Sequence, residues 1–330
     1  MRLSRTALVS HRTAGAESTS SFTRFYRLTR LLLHIAYGCV GVAVVFPFFA
    51  HKRRLWAINL WSRQALGILH VRLTVHGSLP SGHAPTLIVS NHVSWLDICL
   101  LNSVLAVRFV AKSDVRRWPL VGFLVSRAGT IFVERRNPLD TVRTNRAIAE
   151  ALGRGEHVAM FPEGTSTDGT EVKPFHASLF QAGLGAVVRV AVVALRYVNP
   201  DGSVNLDASY AGERSLWESF RLMVARSSLH ADLIFAGSID VGGKTRGEIA
   251  RAAERVTAEA LRLPRPGGKT GTPTSVPRAT TTAPSSVDGS YRVRSPSPSA
   301  PGLGLTDSWN DARRAARVPW DGDAEQDPLG

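Results

Sequence analysis

Two ionisable side chains, His92 and Asp97, stand five residues apart in NHVSWLDICL (91–100), directly after the apolar run TLIVS (86–90). That run has the length and composition of a buried strand. The pair therefore falls at a strand's carboxyl end, where open α/β sheets place their sites. A carboxylate that holds one imidazole nitrogen fixes the tautomer and leaves the other nitrogen as a base. This is the base half of a hydrolase triad without its serine, so the nucleophile would be a hydroxyl of the substrate. A capping Asp and a solvated His produce the same spacing, and the pair alone decides nothing. Ser94 suits an N-cap and is expected to open the helix that carries Asp97.

Three further segments bear on the choice. GTIFVERRN (129–137) reads as a strand ending in Glu134, Arg135, Arg136 and Asn137. Adjacent arginines there suit a phosphate, whose oxygens pair bidentately with guanidinium. FPEGTSTDG (161–169) follows another strand, and its Pro-Glu-Gly-Thr turn presents backbone amides and Glu163 toward the same edge. KPFHASLFQAG (173–183) is a basic entry into a helix expected to cover the site. Taken singly, these are a solvated charge run, a plain turn and an ordinary helix start.

Together they resemble the glycerophospholipid acyltransferase family, which includes 1-acyl-sn-glycerol-3-phosphate (lysophosphatidic acid) acyltransferases. The family's N-H-x-S-x-x-D motif stands here as Asn91, His92, Ser94 and Asp97. Its second motif corresponds to Gly129, Thr130, Ile131, Phe132, Val133, Glu134 and Arg135. Its F-P-E-G-T motif is Phe161, Pro162, Glu163, Gly164 and Thr165, and its fourth resembles VVALRYVNP (192–200). Order and spacing match, and the resemblance covers roughly residues 60–262.

The resemblance implies acyl transfer from a thioester, acyl-CoA or acyl carrier protein, to the sn-2 hydroxyl of lysophosphatidic acid, giving phosphatidic acid. It makes His92 the base and Asp97 its orienting partner. Arg135, Glu163, Gly164 and Thr165 would bind the acceptor, with amides near Gly164 and Thr165 as oxyanion donors. Asn91, Ser94, Gly129, Phe161 and Pro162 would support the motifs. No cofactor or metal is implied, and the histidines show no ligand spacing. Many members continue through a P-F-K-x-G segment, where this chain has Pro174, Phe175, His176, Ala177 and Ser178. That departure keeps lyso-ornithine lipid or another lysolipid open as acceptor.

The elements that must hold these residues alternate. Strand-like runs TLIVS (86–90), RFVA (108–111), TIFV (130–133), HVAMF (157–161), VRVAVVAL (188–195) and ADLIFA (231–236) are separated by helix-like segments. One of these opens at Pro138 and closes on Gly153 and Gly155, as helices tend to; EIARAAERVTAEALRL (248–263) closes the domain. Such alternation predicts an α/β fold, a mostly parallel sheet flanked by helices. We expect the acyltransferase domain over 70–263, a membrane-associated helical segment over 24–69, and disordered termini at 1–23 and 264–330. Ten of the chain's 18 prolines fall in that last stretch.

The chain has 330 residues and a formal net charge of +14, which favours anionic partners. Residues 1–54 carry nine Lys/Arg against one acid, Glu17, and they flank the apolar stretch 31–51. That stretch is long enough to cross a bilayer. Positive charge on both sides argues instead for a re-entrant or in-plane element, with Pro47 as a breaker and Trp56 and Trp61 at the interface. An anionic membrane on its cytoplasmic face is the expected partner. Nucleic acid is not: no binding motif is present, and much of the excess charge borders the apolar segment. Cys39 and Cys99 build no disulfide framework.

Overall fold

The computed structural model of the protein describes residues 19–77, 85–133, 138–185 and 189–264. Seven strands form one sheet: β1 (Val71–His76), β2 (Thr86–Ser90), β3 (Arg108–Lys112), β4 (Ile131–Val133), β5 (Val158–Met160), β6 (Arg189–Val198) and β7 (Leu229–Ile239). Among the described residues eight α-helices accompany them. The first four are α1 (Ser21–Val40), α2 (His51–Ile68), α3 (Leu96–Val104) and α4 (Val121–Arg127). The others are α5 (Pro138–Gly153), α6 (Gln181–Gly185), α7 (Leu216–Ala225) and α8 (Arg246–Leu261).

The strand order is β1-β7-β6-β2-β5-β3-β4. Neighbours run parallel except β6 and β7, which are antiparallel with an irregularity at Val192/Val193. The expected mostly parallel α/β sheet is therefore what forms. Helices cover both faces, which is why the central strands are apolar without alternation. Leu87, Ile88 and Val89 of β2 have no accessible surface. On one face Ile88, Leu195 and Leu233 pack with Leu31, Leu66, Leu100 and Met223 from α1, α2, α3 and α7. On the other, Leu87, Val89 and Val192 meet Ile148 and Leu152 of α5 and Ile249 of α8.

Several expectations shift. α1 begins at Ser21, inside the stretch expected to be unstructured, because the Ser20 side chain accepts the Thr23 amide and caps it. The remainder of that stretch, 1–18, and the C-terminal 265–330 lie outside the described residues. Trp95, not Ser94, occupies the N-cap of α3. In the segment after Lys173, Phe175, Leu179 and Phe180 turn into the core beside α5 and α8, and the His176 amide meets the Pro162 carbonyl.

The apolar N-terminal stretch is one helical run from Ser21 to Phe48, with a π turn over Gly41–Val45 and a 3-10 turn over Phe46–Phe48. By length and composition it could cross a membrane. One face joins the domain: Leu31 and Ile35, four apart, are in the core cluster. Arg27 donates to the carbonyls of Arg226 (2.6 Å) and Ser227 (3.3 Å). The other face exposes Phe22, Phe25, Tyr26, Leu33, Tyr37, Val40, Val44 and Phe48. α2 returns along α3, where Asn59 and Arg63 donate to the last carbonyls of that helix, at Asn102 and Ser103.

Candidate active site

The parallel pairing of β2 with β6 ends at Ser90↔Val193. Beyond it the backbone leaves the sheet, and the Asn91 side chain takes over the ladder. Its Nδ2 donates to the Leu195 carbonyl and its Oδ1 accepts the Leu195 amide, both at 2.8 Å. A carboxamide carries the donor and acceptor of a peptide group, so it satisfies a buried strand while freeing the chain to turn.

The freed loop is bonded at nearly every backbone group. The His92 amide donates to Glu163 Oε1 at 3.2 Å, and its carbonyl accepts the Thr167 amide at 2.8 Å. The Val93 carbonyl accepts the Tyr210 amide at 2.7 Å. The amides of Val93 and Ser94 both donate to Asp97 Oδ2, at 2.8 and 2.9 Å. The same oxygen accepts His92 Nδ1 at 2.8 Å. Asp97 is fully buried, and its Oδ1 accepts the phenol of Tyr197 at 2.7 Å. The expected His–Asp pairing is formed, with Nε2 the ring nitrogen not engaged by Asp97.

The imidazole lies flat on Phe161, centroids 4.1 Å apart and planes at 11°. Phe161 stacks in turn on Phe109 at 5.9 Å. The aromatic platform restricts ring rotation, while 20% of the His92 side chain stays accessible. An orienting carboxylate below and an open outer nitrogen are the requirements for a general base.

Glu163 is 3% exposed. Burial pushes its carboxyl up to about 8, against weaker opposing pulls from the His92 and Lys173 amides. The carboxyl is therefore largely neutral near pH 7. Its Oε1 braces the His92 amide, and Oε2 has no hydrogen-bond partner among the described residues.

The other expected residues divide. Pro162 is buried, and its carbonyl accepts the His176 amide at 2.9 Å. Gly164 closes the Phe161–Gly164 turn at φ 70°, its amide donating to the Phe161 carbonyl at 3.1 Å. Thr165 is exposed. Ser94 is buried, and its hydroxyl accepts the Leu96 amide at 3.3 Å. Gly129 precedes β4 at φ 91°, at the opposite end of the sheet from His92; it shapes a turn and is not part of the site. Arg135 lies outside the described residues.

Tyr197 was not legible as a site residue. It lies 100 positions from Asp97 and reads as one more strand residue in VVALRYVNP. Its place inside the fourth motif, VVALRYVNP, was the available signal.

A family profile described as Acyltransferase matches residues 72–197. The chain is 36% identical over 200 residues to a 1-acyl-sn-glycerol-3-phosphate acyltransferase of Neisseria gonorrhoeae, covering 60% of this chain and 77% of that one. It is 37% identical over 203 residues to a lyso-ornithine lipid O-acyltransferase of Pseudomonas aeruginosa, covering 61% and 76%. The fold is similar to the crystal structure of a 1-acyl-sn-glycerophosphate (LPA) acyltransferase from Thermotoga maritima. The TM-score is 0.52 at 22% identity, over 72% of this chain and 96% of the other.

Proposed function

The chain belongs to the acyltransferase family, and from that premise we propose that it acylates the sn-2 hydroxyl of lysophosphatidic acid to give phosphatidic acid. The donor in this reading is a thioester, acyl-CoA or acyl carrier protein. The observation that carries it is the His92–Asp97 pair, held at 2.8 Å through Nδ1 with a fifth of the His92 side chain accessible.

In the proposed mechanism His92 Nε2 removes the hydroxyl proton as the oxygen attacks the thioester carbonyl. Asp97 keeps the Nδ1 proton in place and stabilises the imidazolium. The tetrahedral intermediate then collapses, the C–S bond breaks, and the imidazolium protonates the departing thiolate. Such general-base assistance is worth about 10²–10⁴-fold. Arg135 is assigned the acceptor's phosphate on its motif alone. Glu163, braced on the His92 amide and largely uncharged, is assigned to holding the loop and offering its second oxygen toward the acceptor.

A second reading changes only the acceptor, to lyso-ornithine lipid or another lysolipid. The similarity to the Pseudomonas aeruginosa relative and the P-F-H-A-S departure at Pro174–Ser178 favour it.

We place the enzyme on the cytoplasmic face of the cell membrane. The exposed apolar face of α1 would enter one leaflet, and Leu120, the residue before α4, and Phe123 within it extend that face: the Cys39 thiol touches the Leu120 carbonyl at 3.4 Å. Leu31, Ile35 and Arg27 hold the opposite face of α1 to the domain, which favours an in-plane anchor over a span. Basic residues beside an anionic surface add about 1 kcal/mol each.

The test supplies purified protein with labelled acyl-CoA or acyl carrier protein and each of the two lysolipids. We expect phosphatidic acid from wild type and a loss of about 10³-fold in His92→Ala, within the range of general-base catalysis. Product from lyso-ornithine lipid alone transfers the assignment to the second reading. Undiminished turnover by His92→Ala overturns the mechanism.

A further inference from the structure

Asp97 accepts four hydrogen bonds, and they are unevenly placed. Three converge on Oδ2, from His92 Nδ1 and the amides of Val93 and Ser94. Oδ1 is held by the Tyr197 phenol at 2.7 Å. The three donors on Oδ2 are local to the turn and come with the N-H-x-S-x-x-D spacing. The fourth comes from the middle of the sheet, on β6, whose backbone is paired with β2 on one side and β7 on the other. Tyr197 is 1% exposed, so neither the phenol nor the carboxylate can exchange this partner for water.

We propose that Tyr197 is a positioning residue for acyl transfer: its hydroxyl fixes the free oxygen of Asp97 and thereby sets the orientation and basicity of His92. The proposal rests on His92 being the base. A carboxylate anchored at one oxygen can pivot about its Cβ–Cγ bond, and anchoring both removes that freedom. A donor on Oδ1 also draws off negative charge, so the carboxylate stabilises the imidazolium less strongly than it otherwise would.

Among the described residues, Tyr197 approaches the pair from β6, Cys99 from α3 and Glu163 from the chain after β5, with Lys173 beside Glu163 and the Ser94 hydroxyl beside the phenol. Burial pushes the Cys99 thiol up to about 12 and the Tyr197 phenol well above its ordinary value, so both stay neutral. Glu163 touches the His92 amide, not the ring. Of these neighbours Tyr197 is the one bonded to the Asp97 carboxylate.

The experiment measures kcat and KM from about pH 5 to about pH 9, with the lysolipid that wild type turns over, for wild type, Tyr197→Phe and His92→Ala. Tyr197→Phe keeps the ring and removes the donor. Asp97 becomes more basic, His92 holds its proton to higher pH, and the acid limb of kcat/KM moves up by about one pH unit. We expect kcat on the plateau to fall roughly tenfold, with both KM values within about twofold of wild type. An unmoved acid limb with wild-type kcat overturns the proposal. If Tyr197→Phe does not fold, 3,5-difluorotyrosine at position 197 retains shape and hydroxyl but donates more strongly, and the limb must then move down; a stationary limb overturns the proposal equally. Loss of activity in His92→Ala beside an unaltered Tyr197→Phe keeps the base and removes only the role of Tyr197. Full activity in His92→Ala removes both.

Discussion

Between Asn91 and Asp97 the protein buries three polar side chains, Asn91, Ser94 and Asp97, while between Phe22 and Phe48 it leaves ten large apolar ones in the open. Both regions invert the usual sorting of residues. The loop manages it by pairing: strand β6, the turn after β5 and its own amides satisfy the carboxamide and carboxylate. Among the described residues the exposed face of the helix has no such partner, because its inner face is the one that joins the domain core. A contiguous exposed apolar face of that kind points to a surface the protein has yet to meet. The buried polar cluster finds its partners within the molecule, and the exposed apolar face finds its partner, in the proposed reading, at a bilayer.

The sharpest way to break the first half of this comparison is Asp97→Asn. A carboxamide oxygen can still accept from Val93 and Ser94, so the loop should keep its shape. The imidazole loses its countercharge and its tautomer, and activity should fall about 10²–10⁴-fold with little change in thermal unfolding. A variant that loses folding along with activity would make Asp97 chiefly structural.

The second half is tested by replacing Phe25, Leu33 and Tyr37 together with Ser. Each large side chain is worth about 1.5–3 kcal/mol when removed from water, so partitioning onto anionic vesicles should weaken by at least about 100-fold. Flotation measures this directly, and turnover of a detergent-dispersed lysolipid should be kept. Unchanged flotation would remove α1 as the anchor.

Glu163→Gln gives the smallest effect and the one with a definite sign. The carboxyl titrates near 8 in the folded protein against an ordinary value of 4.5. A raised acid pKa contributes stability that is full below about 4.5 and fades as pH rises through about 8, where the folded state must bury a charge. Glutamine does not titrate. Urea midpoints at about pH 5 and about pH 9 should therefore show wild type losing ground to the variant at the higher pH. A gap that is the same at both values would mean Glu163 is already charged when buried.

The strands that carry the motifs were legible because each is a short apolar run ending in residues that cannot continue it. TLIVS is a strand end to end, and Pro138 opens α5 as read. β1 escaped notice: VRLTVH alternates, as an edge strand covered on one side does, and resembles neither a buried run nor a helix. The antiparallel return of β7 beside β6 was equally invisible, since a strand's own residues do not record its neighbour's direction. The His92–Asp97 contact could be foreseen because five residues of chain bring the groups together whatever the rest of the fold does.

By itself, then, the sequence determined the local pairings: the His92–Asp97 pair, the turn of Phe161–Gly164 and the apolar stretch flanked by charge. Tertiary structure decided which partners those groups obtained. It placed Phe161 under the imidazole, turned the Gly164 amide inward, set Glu163 against the His92 amide and brought Tyr197 across 100 residues to Asp97. The physical reason is range. Hydrogen bonds and capping within a few residues follow from the order of the side chains, whereas contacts across the sheet depend on strand order, which only the packing of both helical layers specifies.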